Sequence, residues 1–110
     1  MLVALLNVPR SDDDWNRWAF AHKESHLAIS QAILSAGGKV SAEYQLDPIP
    51  PNDLQGWLTR NQQAHNDMNQ TLGLQSADIE TTDLTDRRQL EAWIYLHFLE
   101  HQTAEQALKI

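Results

Sequence analysis

The sequence predicts an all-α fold, a three-helix bundle built from three single-helix repeats that are joined by long connectors. Two observations predict it. Residues 15–33, 54–72 and 90–108 align without a gap and carry Trp and His in one register. Within each stretch, apolar residues recur in steps of three and four, which is the period of one helix face. A chain of 110 residues has the length of one compact domain, so we expect one helical domain over residues 1–110.

The first helix is predicted over residues 12–36. Ser11 is a favourable N-cap residue, and the acidic residues Asp12, Asp13 and Asp14 suit the positive end of the helix dipole. Gly37 follows the helix at the position where a left-handed backbone often ends it. The first repeat therefore covers about residues 11–37.

The second and third helices are predicted over residues 52–72 and 86–108. Pro50 and Pro51 precede the second helix, and Gly73 follows it. Thr85 and Asp86 precede the third, which has no glycine after it and is expected to fray toward the C-terminus. These repeats cover about residues 50–73 and 85–110.

The connectors, about residues 37–51 and 73–83, are longer than the usual loops of helical bundles. Prolines 48, 50 and 51 exclude a helix from the first connector. Connectors of this length allow the helices to run parallel or up-down-up. The sequence leaves both orders open.

The apolar positions of the three repeats form the seam of a coiled coil with six layers. Apolar residues occupy the layers at both ends, and polar residues occupy the two in the middle. We call these two layers the central belt, and they contain all five histidines of the chain: His22, Asn61 and His97 in one layer, and His26, His65 and His101 in the next. Each repeat also has a tryptophan four residues before the first belt position: Trp18, Trp57 and Trp93.

Two main interpretations of the belt remain open. The favoured one is structural: neutral imidazoles hydrogen-bond to each other and to their neighbours, no metal or other cofactor is bound, and a chelator changes the melting temperature little. The alternative is a zinc site in which His26, His65 and His101 converge from one layer. A pH-sensitive cluster is a third interpretation. The sequence shows no acidic residue within the belt itself.

Composition and missing motifs exclude several function classes. The net charge of −7 argues against a nucleic-acid binder and against a surface for anionic lipids. The absence of cysteine excludes thiolate chemistry. No HExxH motif and no glycine-rich phosphate loop occur. We therefore expect a protein that is not an enzyme and that contacts neither nucleic acid nor membrane.

The segments WNRWAFAHKESHLAISQAI and HNDMN followed by LGL resemble small proteins of about a hundred residues that are encoded among the virion and assembly genes of tailed bacteriophages. The resemblance covers most of the chain and implies a non-enzymatic structural or assembly role. The implied partners are other virion proteins of the capsid, neck or tail, and a homo-oligomer stays open. The implied location is the virion, and the host cytoplasm during assembly.

Contacts with such partners need exposed apolar side chains. The residues that we expect to supply them are aromatic positions off the seam and the apolar N-terminus: Met1, Leu2, Phe20, Tyr44, Tyr95 and Phe98. A role in the core is the alternative for each of them. A second alternative function is a small acidic regulator of a host protein, because the charge of −7 would steer the chain toward a basic site.

Overall fold

The computed structural model describes residues 2–39, 54–74, 83 and 85–110. It contains a 3-10 helix, Leu2–Leu6, and three α-helices: α1 (Asp12–Ser35), α2 (Leu54–Leu72) and α3 (Arg87–Leu108). The predicted all-α bundle of three helices is confirmed. Most of both connectors, including Tyr44, lies outside the described residues. In the part of the chain that is described, no helix is both long and apolar enough to cross a membrane.

The predicted helix boundaries agree with the capping contacts. Ser11 Oγ accepts a hydrogen bond from the Asp14 backbone N–H at 3.2 Å, which caps α1. The Asp86 carboxylate accepts from two backbone N–H groups at the start of α3. Gly37 and Gly73 have φ angles of +86° and +70°, as the left-handed ends of α1 and α2 require.

The end of α3 has a cap that the sequence did not predict. Lys109 takes a left-handed conformation with φ of 60°, which costs an L-residue roughly 1–2 kcal/mol. Its N–H donates to the Gln106 carbonyl at 3.1 Å, and the Ile110 N–H donates to the Glu105 carbonyl at 3.1 Å. These two bonds satisfy carbonyls of the last turn and end the helix without a glycine.

The three helices run in the same direction. The rings of Trp18, Trp57 and Trp93, which hold equal positions in the three predicted repeats, meet with centroids 5.3–6.0 Å apart. At the other end of the bundle, Ile33 and Met68 share one apolar cluster with residues of α3. An antiparallel α2 would bring Trp57 close to that second end. The structure therefore decides the question that the connectors left open.

The described residues form two apolar clusters in the core, one on each side of the central belt. The tryptophan cluster contains Trp18, Trp57 and Trp93, and the 3-10 helix covers it with Leu5, which is fully buried. Trp18 Nε1 donates to the Leu5 carbonyl at 3.3 Å. The N-terminal segment thus packs on its own bundle, although Val3 and Leu6 stay exposed on its outer side.

Candidate metal centre

All five histidines of the chain are buried, as their place in the seam predicts. Two tryptophans of the tryptophan cluster stack on histidines of the central belt. Trp18 stacks on His22 with ring centroids 4.9 Å apart, and Trp93 stacks on His97 at 4.6 Å. The spacing of four residues places each pair on one helix face, so these stacks follow from the sequence.

Four of the histidines bring ring nitrogens to one point. His22, His65, His97 and His101 each offer one nitrogen, and the four atoms lie within 4.8 Å of one another. We call these four residues the histidine cluster. The Nε2 atoms of His22 and His97, which lie on two different helices, are 3.2 Å apart. All three helices contribute, and the cluster draws on both layers of the belt.

The histidine cluster differs from the predicted set of His26, His65 and His101, because it lacks His26 and includes His22 and His97. The Nε2 atom of His26 lies 3.0 Å from that of His22, one turn away on the same helix. Membership of a layer fixes where a Cβ atom lies, but rotation about χ1 and χ2 moves an imidazole nitrogen by several ångströms. A ring can thus reach the layer one turn away, since a helical turn rises about 5.4 Å.

A buried acid also belongs to the site, which the sequence analysis did not predict. Glu100 is 8% exposed, and its carboxylate contacts Nδ1 of His65. The residue was missed because it precedes His101 and lies off the seam. Its position three residues after His97 was the available signal, since i and i+3 side chains share a helix face.

His101 is linked to a second carboxylate, that of Glu105, through the hydroxyl of Ser25. Ser25 Oγ lies 2.7 Å from Nδ1 of His101 and donates to the Glu105 carboxylate at 2.9 Å. Because the serine proton goes to Glu105, Ser25 Oγ accepts the hydrogen on Nδ1 of His101. The nitrogen of His101 left for another ligand is then Nε2.

Burial favours the neutral form of four of the belt histidines. Desolvation lowers the pKa of His22, His26, His97 and His101 well below the ordinary value, and repulsion from neighbouring imidazoles lowers it further. Neutral imidazole is the form that binds metal ions. The electrostatics of the core therefore favour the protonation state that a metal site needs.

The same shifts predict a pH dependence for the metal-free chain. A histidine with a depressed pKa contributes stability above its unfolded pKa of about 6.5, and this is lost at lower pH because the unfolded chain takes up protons first. Between pH 7 and pH 5.5, we expect a loss of about 1 kcal/mol for each of the four groups. Urea unfolding at several pH values measures it. Equal stability at both values would show that protons reach the belt in the folded chain.

Hydrogen bonds satisfy only some of the ring nitrogens in the central belt. The Nε2 atom of His22 has two imidazole neighbours, His26 and His97, within hydrogen-bond distance. Among the described residues, however, nothing hydrogen-bonds to Nε2 of His65 or of His101. Leaving a buried polar atom unsatisfied costs about 1–3 kcal/mol. Both atoms belong to the histidine cluster, so an ion bound there would satisfy them.

The cluster fits a tetrahedral ion after a small contraction. Zinc–nitrogen bonds of about 2.0–2.1 Å place neighbouring ligand nitrogens about 3.4 Å apart. The 3.2 Å between His22 and His97 is close to that distance. The widest pairs, at up to 4.8 Å, have to approach by about 1.4 Å, which rotation of the rings can supply.

Of the residues predicted to contact partners, the structure shows some to be exposed and one to be buried. Phe20 and Tyr95 are 66% and 56% exposed. Phe98 is buried in the tryptophan cluster, which agrees with the core role that the sequence left open as its alternative. It follows Ile94 by four residues and therefore shares that residue's core-facing side of α3. Met1 and Tyr44 lie outside the described residues, and the side chain of Leu2 does as well.

The fold and the site together define a parallel three-helix bundle with a buried cluster of four histidines. Comparison with protein-family models, with curated proteins and with solved structures found no match for the chain. The function is therefore inferred from the geometry of the site and from the exposed surface.

Proposed function

We propose that the chain is a metal-binding helical protein and that its histidine cluster holds one divalent transition-metal ion. The observation that carries the proposal is the convergence of four buried ring nitrogens within 4.8 Å. Imidazole nitrogen suits Zn²⁺, Cu²⁺ and Ni²⁺, whereas Mg²⁺ and Ca²⁺ prefer oxygen ligands. The ion class is therefore a borderline transition metal such as Zn²⁺.

The role that we assign to the ion is structural. Four protein ligands fill a tetrahedral ion, and catalytic zinc sites instead keep one position open for water or substrate. His22 is on α1, His65 on α2, and His97 and His101 are on α3. One ion would thus connect all three helices at mid-height. This proposal agrees with the expectation that the chain is not an enzyme.

Substitution of single histidines by asparagine tests which residues bind the ion. Asparagine is chosen because Asn61 already occupies a buried belt position. We expect one Zn²⁺ per wild-type chain by calorimetric titration after treatment with a chelator. His65→Asn and His101→Asn should each lose at least about 100-fold in affinity, since each removes one of four ligands. His26→Asn should bind almost as tightly as wild type.

Two controls accompany the titration. Mg²⁺ should give no heat of binding, because the cluster has no oxygen ligand. Circular dichroism of each variant should show a folded helical chain at the temperature used. A wild-type chain that does not bind Zn²⁺ would refute the metal site, and an equal loss in His26→Asn would refute this set of four ligands.

The exposed surface favours a second candidate function, compatible with the first. Phe20, Leu27 and Leu34 follow one another at steps of seven residues on α1 and are exposed, as are Tyr95 and Leu96 on α3. Residues seven apart share one helix face, so α1 presents an apolar stripe. Contiguous exposed apolar surface is typical of contact sites.

With the resemblance to small tailed-phage proteins, this stripe supports the proposal of a non-enzymatic virion or assembly component. Its partners would be other particle proteins of the capsid, neck or tail, in the virion or in the host cytoplasm during assembly. Mass spectrometry of purified particles and assembly intermediates tests this. Absence of the polypeptide from both would leave the small acidic regulator of a host protein as the alternative, which a pull-down from host lysate examines.

A further inference from the structure

We infer that Glu100 is the positioning residue of the metal site: its buried carboxylate holds the His65 ring with Nε2 directed at the ion and supplies a buried negative charge that partly offsets the charge of the ion. This inference rests on the proposed metal-binding function. It names a residue that binds no metal itself and acts through a ligand.

The contact between Glu100 and His65 determines which nitrogen binds. A carboxylate can only accept hydrogen bonds, so Nδ1 of His65 carries the hydrogen that faces it. The remaining nitrogen, Nε2, has no hydrogen-bond partner among the described residues. Metal-ligating histidines commonly donate their second N–H to a carboxylate, which fixes the orientation of the ring and makes the metal-binding nitrogen more basic.

Charge provides an independent argument. Four neutral imidazoles leave the full double charge of the ion inside the core, and burying uncompensated charge is costly. Within the described part of the chain, Glu100 is the one acidic side chain that is buried. Its charge therefore acts on the ion with less screening by water than that of any other described carboxylate.

Glu105 has a similar place with respect to His101, but its effect should be weaker. Its carboxylate reaches the ring only through Ser25, and the Ser25–Glu105 bond is partly exposed to solvent. Water screens that charge, and the hydroxyl of Ser25 accepts from Nδ1 whether or not Glu105 is charged. Loss of the Glu105 charge should therefore weaken metal binding less than loss of the Glu100 charge.

The experiment measures Co²⁺ and Zn²⁺ binding to the full chain with three variants of these residues. Glu100→Gln keeps an oxygen that can accept from Nδ1 but loses the charge, and Glu100→Leu loses both. Glu105→Gln tests the weaker partner. The matched control is Glu91→Gln, because Glu91 is an exposed residue of α3 that pairs with Arg87.

We expect the dissociation constant to rise about 10-fold in Glu100→Gln and about 100-fold in Glu100→Leu, the range found for partners of metal ligands. Glu105→Gln should change it less than Glu100→Gln does, and Glu91→Gln should leave it unchanged. The visible absorption of bound Co²⁺ reports the number and geometry of its ligands. It should change in Glu100→Leu, because the His65 ring is no longer held.

Each outcome decides between the inference and its alternatives. Wild-type chain that binds neither Co²⁺ nor Zn²⁺ refutes the proposed function itself. Wild-type binding with Glu100→Gln and Glu100→Leu equal to Glu91→Gln refutes the positioning role and leaves the metal site intact. A lower melting temperature with unchanged affinity and Co²⁺ absorption would also refute it, because Glu100 would then serve the fold alone. If Glu100→Leu does not fold, the near-isosteric Glu100→Gln carries the test.

Discussion

Treatment with a chelator is expected to lower the melting temperature of the chain by about 15–25 °C, and added Zn²⁺ should restore it. An ion that binds only the folded state at a thousand times its dissociation constant stabilises that state by about 4 kcal/mol. For a domain near this size, each kcal/mol shifts the melting temperature by several degrees, roughly 4–8 °C for 60–100 residues. Thermal melts followed by far-ultraviolet circular dichroism measure the change.

This expectation reverses the one drawn from the sequence, where structural histidines made the melt insensitive to a chelator. The reason is geometric, since His65 and His101 each leave a buried Nε2 atom without a partner in the described chain. Mg²⁺ in place of Zn²⁺ should not restore the melt, and His101→Asn should respond to Zn²⁺ much less than the wild-type chain does. A wild-type melt that is indifferent to chelator and to Zn²⁺ would return the belt to the structural interpretation.

Replacement of Trp18 by alanine is expected to destabilise the chain by about 3–5 kcal/mol, the usual cost of removing a large buried aromatic side chain. Trp18 is 2% exposed, stacks on His22 and meets the rings of Trp57 and Trp93. Small domains are stable by only about 5–15 kcal/mol, so this substitution should remove a large share of the stability of the chain. Urea unfolding gives the free energy of unfolding.

Trp15→Ala is the matched control for this substitution. Trp15 contacts Trp18 edge to face, with centroids 5.7 Å apart, but it is only partly buried and lies at the edge of the tryptophan cluster. Its loss should therefore cost clearly less than the loss of Trp18. Equal costs for the two variants would contradict the central place of Trp18 in the core.

Much of the fold was predictable because its causes are local. Formation of α1 follows from apolar residues spaced three and four positions apart, from the cap at Ser11 and from the glycine at position 37. All three act within one or two helical turns. Burial of one helix face follows from the same period, which explains why the residues of the central belt are buried. The exception is Lys109, whose left-handed conformation has no signature as clear as a glycine. Descent of the bundle from a duplicated single helix stays a prediction.

The sequence by itself determined that three helices form, which faces they bury, and that all five histidines enter the core. Only the tertiary structure decided that the helices are parallel, that His22 and His97 belong to the cluster and His26 does not, and that Glu100 reaches His65. Hydrophobic periodicity records the face that a residue occupies but neither the direction of a neighbouring helix nor the rotation of a ring about its side-chain bonds. Those two quantities depend on contacts between residues far apart in the chain, and they decide which nitrogen atoms can meet around one ion.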